Sequence, residues 1–351
     1  MTRGCQGVTL PDLLVSVCVG LVTVTAVVAA LPPILDVVQT IPESTDLDQR
    51  ARGASEAVVH TLKPAGAGPD LLGLGPLPHF VPAVWPLRLG TATADPPATA
   101  WGDRLSTLRV AAGAAQAPLA VAVVAGTSTI VLAWHPACGL DASCGFRRGD
   151  LVLVFNQHGV FELATLTGVA GLSLTRAGAA SQPVDLPGQV TAVSASVVLF
   201  DAVRRQLRLA DGATGNQPLV DDVVGVRVRY YGSAAPPRWP AVSGADTCAV
   251  SADGTPRLGL RGPVPGPPIE LALAELSDGP WCGAGAGRFD ADLMRVRAVR
   301  FAVRLQASSA AVRGPMPAWF TWPGSAVRPG QQVRDRELDL FVTPPNLAWT
   351  P

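Results

Sequence analysis

An α+β fold is predicted, with a long N-terminal helix packed on an antiparallel β-sheet body, and three observations carry it. A charge-free apolar run lies near the N-terminus, from Leu13 to Leu35. A second stretch, from Leu47 to Leu62, repeats its apolar residues at helical spacing. The rest holds most of the 36 glycines and 33 prolines and breaks into short β-prone runs separated by turns.

The chain has 351 residues, enough for one large or two modest domains with proper cores. Charged residues make up 15%, which excludes a disordered tail and a coiled coil. Basic and acidic residues balance at 27 each, so no net charge draws the chain to nucleic acid or to anionic lipid.

The run from Leu13 to Leu35 has 23 uncharged residues. At about 1.5 Å per residue it covers the ~30 Å hydrocarbon core of a bilayer. It is too long for a secretory h-region, and no small-residue cleavage site follows it, so it reads as a retained anchor. Arg3 precedes it, and Asp36, Glu43, Asp46 and Asp48 follow. With the basic flank kept in the cytoplasm, the remaining ~300 residues lie outside the inner membrane.

Beyond the anchor, Pro32-Pro33 is expected to kink or break the helix, and Thr40-Ile41-Pro42-Glu43 has the spacing of a capping-box restart. Leu47, Ala51, Ala54, Val58 and Leu62 then form one apolar stripe. Arg50, Arg52, Glu56, His60 and Lys63 fall away from it, and Lys63-Pro64-Ala65-Gly66 ends the helix.

Residues 64–104 read as a mostly irregular Pro/Gly-rich connection. Strand candidates follow at 105–111, 118–124, 128–134, 150–156, 160–167, 171–176, 189–201 and 206–210. Asn156-Gln157-His158-Gly159 marks a hairpin turn. Later, Val299, Phe301, Val303 and Leu305 alternate with Ala298, Arg300, Ala302 and Arg304, the pattern of a strand with two distinct faces.

Of six cysteines, Cys5 and Cys18 lie in the N-terminal segment, leaving Cys138, Cys144, Cys248 and Cys282 in the body. An even number in an exported body suggests two disulfides with three possible connectivities. The sequence-local pairing, Cys138 with Cys144 and Cys248 with Cys282, is favoured because a short loop closes at little entropic cost.

Ahead of the anchor the chain runs Arg3-Gly4-Cys5-Gln6-Gly7-Val8-Thr9-Leu10-Pro11-Asp12-Leu13-Leu14. This resembles the class III signal of type IV prepilins, in which a short basic leader ends in Gly and Phe-Thr-Leu-Ile-Glu opens the mature helix. The resemblance implies a pilin-like fold, cleavage by a prepilin peptidase between Gly7 and Val8, and N-methylation of Val8. Thr9 and Leu10 match directly. Val8 replaces the usual aromatic, Pro11 the usual Ile, and Asp12 the glutamate at the fifth mature position. In the family that carboxylate pairs with the N-terminal amine of a neighbouring subunit, since an unpaired charge in hydrocarbon is costly. Asp12 equally suits the first turn of a helix through the macrodipole.

The block Gly215-Asn216-Gln217-Pro218-Leu219-Val220-Asp221-Asp222-Val223, leading into Val226-Arg227-Val228-Arg229-Tyr230-Tyr231-Gly232, is similar to PilW-family minor pilins. So is the closing Leu338-Asp339-Leu340-Phe341-Val342 with Pro345-Asn346-Leu347. The resemblance covers 1–62 most closely and 215–232 and 293–347 in part, and is absent from 64–104 and 233–290. The expected division is a leader at 1–7, a transmembrane and amphipathic helix at 8–63, the connection at 64–104 and a β-rich body at 105–351. Within the body, about 233–290 forms a disulfide-containing insertion. The function implied is that of a minor pilin in filament initiation or assembly, with the body in the periplasm before incorporation. Its partners would be other pilins, the prepilin peptidase, the inner-membrane assembly platform and, before assembly, membrane lipid. A type II secretion pseudopilin and a pilin-anchored binding module (adhesin or DNA receptor) are the alternatives.

No catalytic set, metal or cofactor is expected. His135-x-x-Cys138 near Cys144 reads as a disulfide with a bystander histidine. Gly283-Ala284-Gly285-Ala286-Gly287 lacks the strand and helix of a phosphate loop. Asp221 with Asp222 and Asp290 with Asp292 suit Ca²⁺, but solvated loop carboxylates are the default reading. Arg204, Arg205 and Arg208 read as solvated strand-face arginines, and nucleic acid is not expected as a partner.

Overall fold

In the computed structural model the described residues are 9–69, 77–90, 94–156, 158–211, 215–236, 248–251, 253–264, 266–283, 285–309, 312–313 and 333–347. Helix α1 runs unbroken from Leu10 to Leu62. The expected break at Pro32-Pro33 and restart at Thr40 are therefore corrected. Each proline removes one backbone donor, but that cost is local, and the helical turns on either side continue across it. The end falls where the sequence places it. Lys63 caps α1, and Gly66 takes φ +79 as it turns its N–H to Leu108 O at 2.8 Å. A Cβ at Gly66 would lie 2.9 Å from Pro78, so no larger residue fits without displacement.

The strands in chain order are β1 (Val84–Trp85), β2 (Arg104–Arg109), β3 (Gln116–Pro118), β4 (Thr129–Val131), β5 (Leu151–Asn156) and β6 (Phe161–Ala170). Then come β7 (Ser173–Arg176), β8 (Gly188–Ala192), β9 (Ser194–Asp201), β10 (Gln206–Ala210), β11 (Asn216–Val220) and β12 (Val223–Gly232). The last are β13 (Ile269–Leu271), β14 (Trp281–Cys282), β15 (Phe289–Asp290), β16 (Val296–Leu305) and β17 (Arg336–Val342).

Two antiparallel sheets, in orders β1-β2-β9-β10-β11 and β13-β12-β16-β17, cover the C-terminal half of α1. The predicted stripe is the buried one: Leu47, Ala51, Ala54, Val58 and Leu62 are all under 5% exposed and join the main core with Trp85, Tyr230 and Phe301. The 64–104 connection has little regular structure yet supplies Leu77, Phe80, Val81 and Trp85 to that core. On β16 the second face is less open than its alternation suggests. Ala298, Ala302 and Arg304 are buried, Arg304 against Asp335 at 2.7 Å.

The third sheet, β3-β8-β5-β6-β7-β4, closes on itself. Leu119 bridges Leu132, and Ala120 N–H and Ala133 N–H donate to Val131 O and Pro118 O, joining the continuations of β3 and β4. The result is a six-stranded barrel with its own core of Leu119, Ile130, Phe146, Val152, Leu174 and Val190. It is inserted between β2 and β9, which pair directly in the body. Two strand boundaries change accordingly. The expected 118–124 strand is short and continues only as single bridges at Leu119 and Val123. The expected 189–201 strand is split at Val193, because β8 belongs to the barrel and β9 to the body.

The barrel sits beyond the C-terminal end of α1. Thr107 on β2 reaches Thr61 O, and Phe155 on β5 packs on Phe80 with ring centroids 4.3 Å apart. At the other end of β9, the β9–β10 turn meets the helix near Arg50 through Asp222.

Candidate anchoring and assembly site

The outer half of α1 is uncovered. Leu10–Leu31 is long and apolar enough to cross a membrane, and none of it is buried in the folded chain. Twenty-two residues at about 1.5 Å each span roughly 33 Å, matching a hydrocarbon core. Its polar side chains are satisfied along the helix. Ser16 donates to Leu13 O at 2.9 Å, Thr23 to Val19 O at 2.5 Å and Thr25 to Leu21 O at 2.7 Å. These local bonds lower the cost of placing hydroxyls in lipid. Cys18 is exposed on the same segment.

Asp12 is the sole charged residue of this span. Its Oδ2 accepts the Thr9 N–H at 3.2 Å and the Thr9 hydroxyl at 2.5 Å, closing the first turn. Thr9 is thus the helix N-cap, and Pro11 sits in the first turn, where no intrahelical acceptor is lost. Gly7 and Val8 lie outside the described residues.

Charge ties the inner half of α1 to the body. Glu43 accepts the N–H groups of Ser308 and Ser309 at 2.9 and 3.3 Å. Arg50 pairs with Asp46 on the helix at 2.8 Å and with Asp222 at 3.4 Å. Asp222 also faces Arg205 and Arg313 and accepts the Ser308 hydroxyl at 2.8 Å. Asp222 is therefore a docking hub, while Asp221 accepts from Gln206 at 2.7 Å. Of the three arginines singled out in sequence, Arg204 pairs with Asp201, Arg205 with Asp222, and Arg208 donates to Asn216. They serve the fold of their own turn and hairpin.

The disulfides join Cys138 to Cys144 and Cys248 to Cys282. The first closes a short loop against the barrel core. The second lies within the 233–290 segment, joining Cys248 to Cys282 on β14, which pairs with Phe289.

Asp290 and Asp292 are not solvated, which corrects the default reading of them. They are 1% and 2% exposed. With Asp278 they bring carboxylate oxygens within 4.8 Å of one another. Arg295 and Arg261 both bind Asp292, the latter at 2.6 Å, and supply the positive charge a cation would bring. Burial, with Asp292 and Asp278 nearby, pushes the Asp290 carboxyl above its ordinary range.

The buried pair Glu162–Arg176 in the barrel had no signal in the sequence. Arg176 Nη1 lies 2.6 Å from Oε2 and Nη2 2.8 Å from Oε1, and Ser181 donates twice more to Oε1. Fourteen residues separate the partners, and only the β6–β7 pairing brings them together. No protein-family model matches the chain, and comparison with curated proteins finds no match.

Proposed function

We propose that this chain is a membrane-anchored subunit of a type IV pilus-like filament, a minor pilin of the PilW type with no catalytic role. One observation carries the proposal. A single helix divides into an uncovered apolar half headed by Asp12 and an amphipathic half buried on an antiparallel body. Such a helix anchors the subunit in lipid first. It then exchanges lipid for the helices of other pilins when the assembly platform extracts it, with Asp12 offered to a neighbour's amine.

The barrel favours a place at the filament end. It occupies the space beyond the C-terminus of α1, where a subunit stacked above would have to pass. That position also fits initiation better than elongation.

Co-expression with a prepilin peptidase tests the reading. Intact mass should show loss of Met1–Gly7 and an N-methylated Val8. A retained leader, or a cut beyond the anchor, rejects it.

A further inference from the structure

Sheet β13-β12-β16-β17 turns one face to the main core and the other outward. On β12, Val228 and Tyr230 are buried, so Arg227, Arg229 and Tyr231 take the outward face. On β16, Val299, Phe301 and Val303 enter the core, and Arg300 and Ala302 fall on the other side. Register sets Arg229 directly opposite Arg300 and Arg227 opposite Ala302. Like charges at facing positions destabilise a sheet unless a group of opposite sign joins them.

The neighbouring carboxylates join them only in part. On the β17 side, Arg300 Nε donates to Asp339 at 2.8 Å. On the β13 side, Arg229 lies 3.6 Å from Glu270, too far for a hydrogen bond. Glu270 already accepts the Tyr231 hydroxyl at 3.1 Å. Between these flanks lies an open cleft of about 250 Å³, lined by Arg227, Arg229, Arg300 and Ala302. Among the described residues no carboxylate lines it. The small side chain of Ala302 leaves that room.

A second groove, of about 530 Å³, shares Arg227 and Arg229 with the first. Its walls add Trp101, Leu271 and Leu273, together with Asp103 and Glu270. Trp101 is 43% exposed, with the Arg104 guanidinium 4.7 Å from its ring centroid. One pair of arginines therefore joins a cationic cleft to a groove with an aromatic wall and two carboxylates.

We infer that this composite cleft binds a phosphomonoester carried on a ring, a sugar phosphate or a nucleotide. Guanidinium groups match phosphate oxygens through paired N–H donors. A carboxylate brings two oxygens and one charge, which Asp339 already gives to Arg300. A terminal phosphate brings three oxygens and close to two charges, enough to bridge Arg229 and Arg300 together. The attached ring then falls in the second groove. There the indole takes its flat face, and Asp103 and Glu270 accept from its hydroxyl or amino groups.

The test titrates the full-length protein, in zwitterionic nanodiscs, with AMP and with glucose 6-phosphate by isothermal titration calorimetry. Inorganic phosphate, adenosine and glucose are the comparators. At least one ester should bind saturably and severalfold tighter than inorganic phosphate, and neither neutral compound should bind. The ester that binds tighter tells a nucleotide from a sugar phosphate. Arg229→Gln with Arg300→Gln should weaken binding about tenfold. Ala302→Val fills the cleft floor without changing a charge and should weaken it too, and Trp101→Ala severalfold. Asp339→Asn should tighten it, because Arg300 loses its competing carboxylate, a gain that a merely structural role does not produce. Matched unfolding midpoints establish that each variant is folded. The inference is overturned by no saturable binding of either ester, or by equal binding of adenosine or glucose. It is equally overturned by inorganic phosphate binding as tightly as the esters, or by unchanged affinity in the folded arginine variant. Ligand binding needs neither leader cleavage nor a filament, so its failure leaves the pilin reading to its own test.

Discussion

Arg50 on α1 reaches Asp222 in the β11–β12 turn, Nη1 to Oδ2 3.4 Å, at the point where three arginines converge on one carboxylate. Asp222 holds φ +55 to do so. Asp222→Ala should leave Arg50, Arg205 and Arg313 in mutual repulsion and cost about 1–2 kcal/mol. Chemical denaturation measures the loss, which should shrink in high salt as the arginines are screened. A loss that does not depend on salt would place the contribution in the turn's backbone.

The barrel's pH response follows from Glu162. Burial pushes its carboxyl up, but Arg176 and Ser181 outweigh burial and hold it below the ordinary range. A depressed folded value stabilises above the unfolded pKa of about 4.3 and is lost as pH falls through the folded value. Glu162→Gln should cost about 3 kcal/mol at pH 7 by leaving Arg176 buried without its partner. It should also flatten the acid limb of stability against pH. Burial raises the Asp290 and Asp335 carboxyls, so these contribute the opposite slope, and the variant is compared with wild type at each pH.

The disulfides should contribute unequally. Cys248 and Cys282 close a separation of 34 residues, Cys138 and Cys144 one of 6. Chain entropy then assigns about 4 kcal/mol to the first and about 2 kcal/mol to the second. Thermal melts of the two double-serine variants rank them. All four thiols should resist alkylation until reductant is added.

Asp12→Asn separates capping from assembly. Asparagine keeps an acceptor for the Thr9 N–H and hydroxyl, so insertion, leader cleavage and folding should be unchanged. Incorporation into filaments should fall, because a neighbour's ammonium would lose its counter-charge in a dry setting. Asp12→Glu should assemble at least as well as wild type. Wild-type incorporation of the Asn variant retires the charge role and leaves Asp12 as a cap.

Local periodicity was enough to read the long apolar N-terminal helix, the five-residue stripe from Leu47 to Leu62 and the helix end at Lys63. Each depends on a repeat or a terminator within a few residues, and the backbone repeats of 3.6 and 2.0 translate directly into faces. The disulfide pairing remained one choice among three. Pro32-Pro33 misled, because a proline's cost is local whereas helix continuity is cooperative.

The barrel was not legible, although most of its strands were. Its closure rests on Leu119 meeting Leu132 and on Val193 dividing β8 from β9, and no local residue type marks either event. Burial of Asp290 and Asp292 and the Glu162–Arg176 pair were hidden for the same reason. A charge reads as solvated until the segment that covers or neutralises it is known, and chain topology supplies that segment.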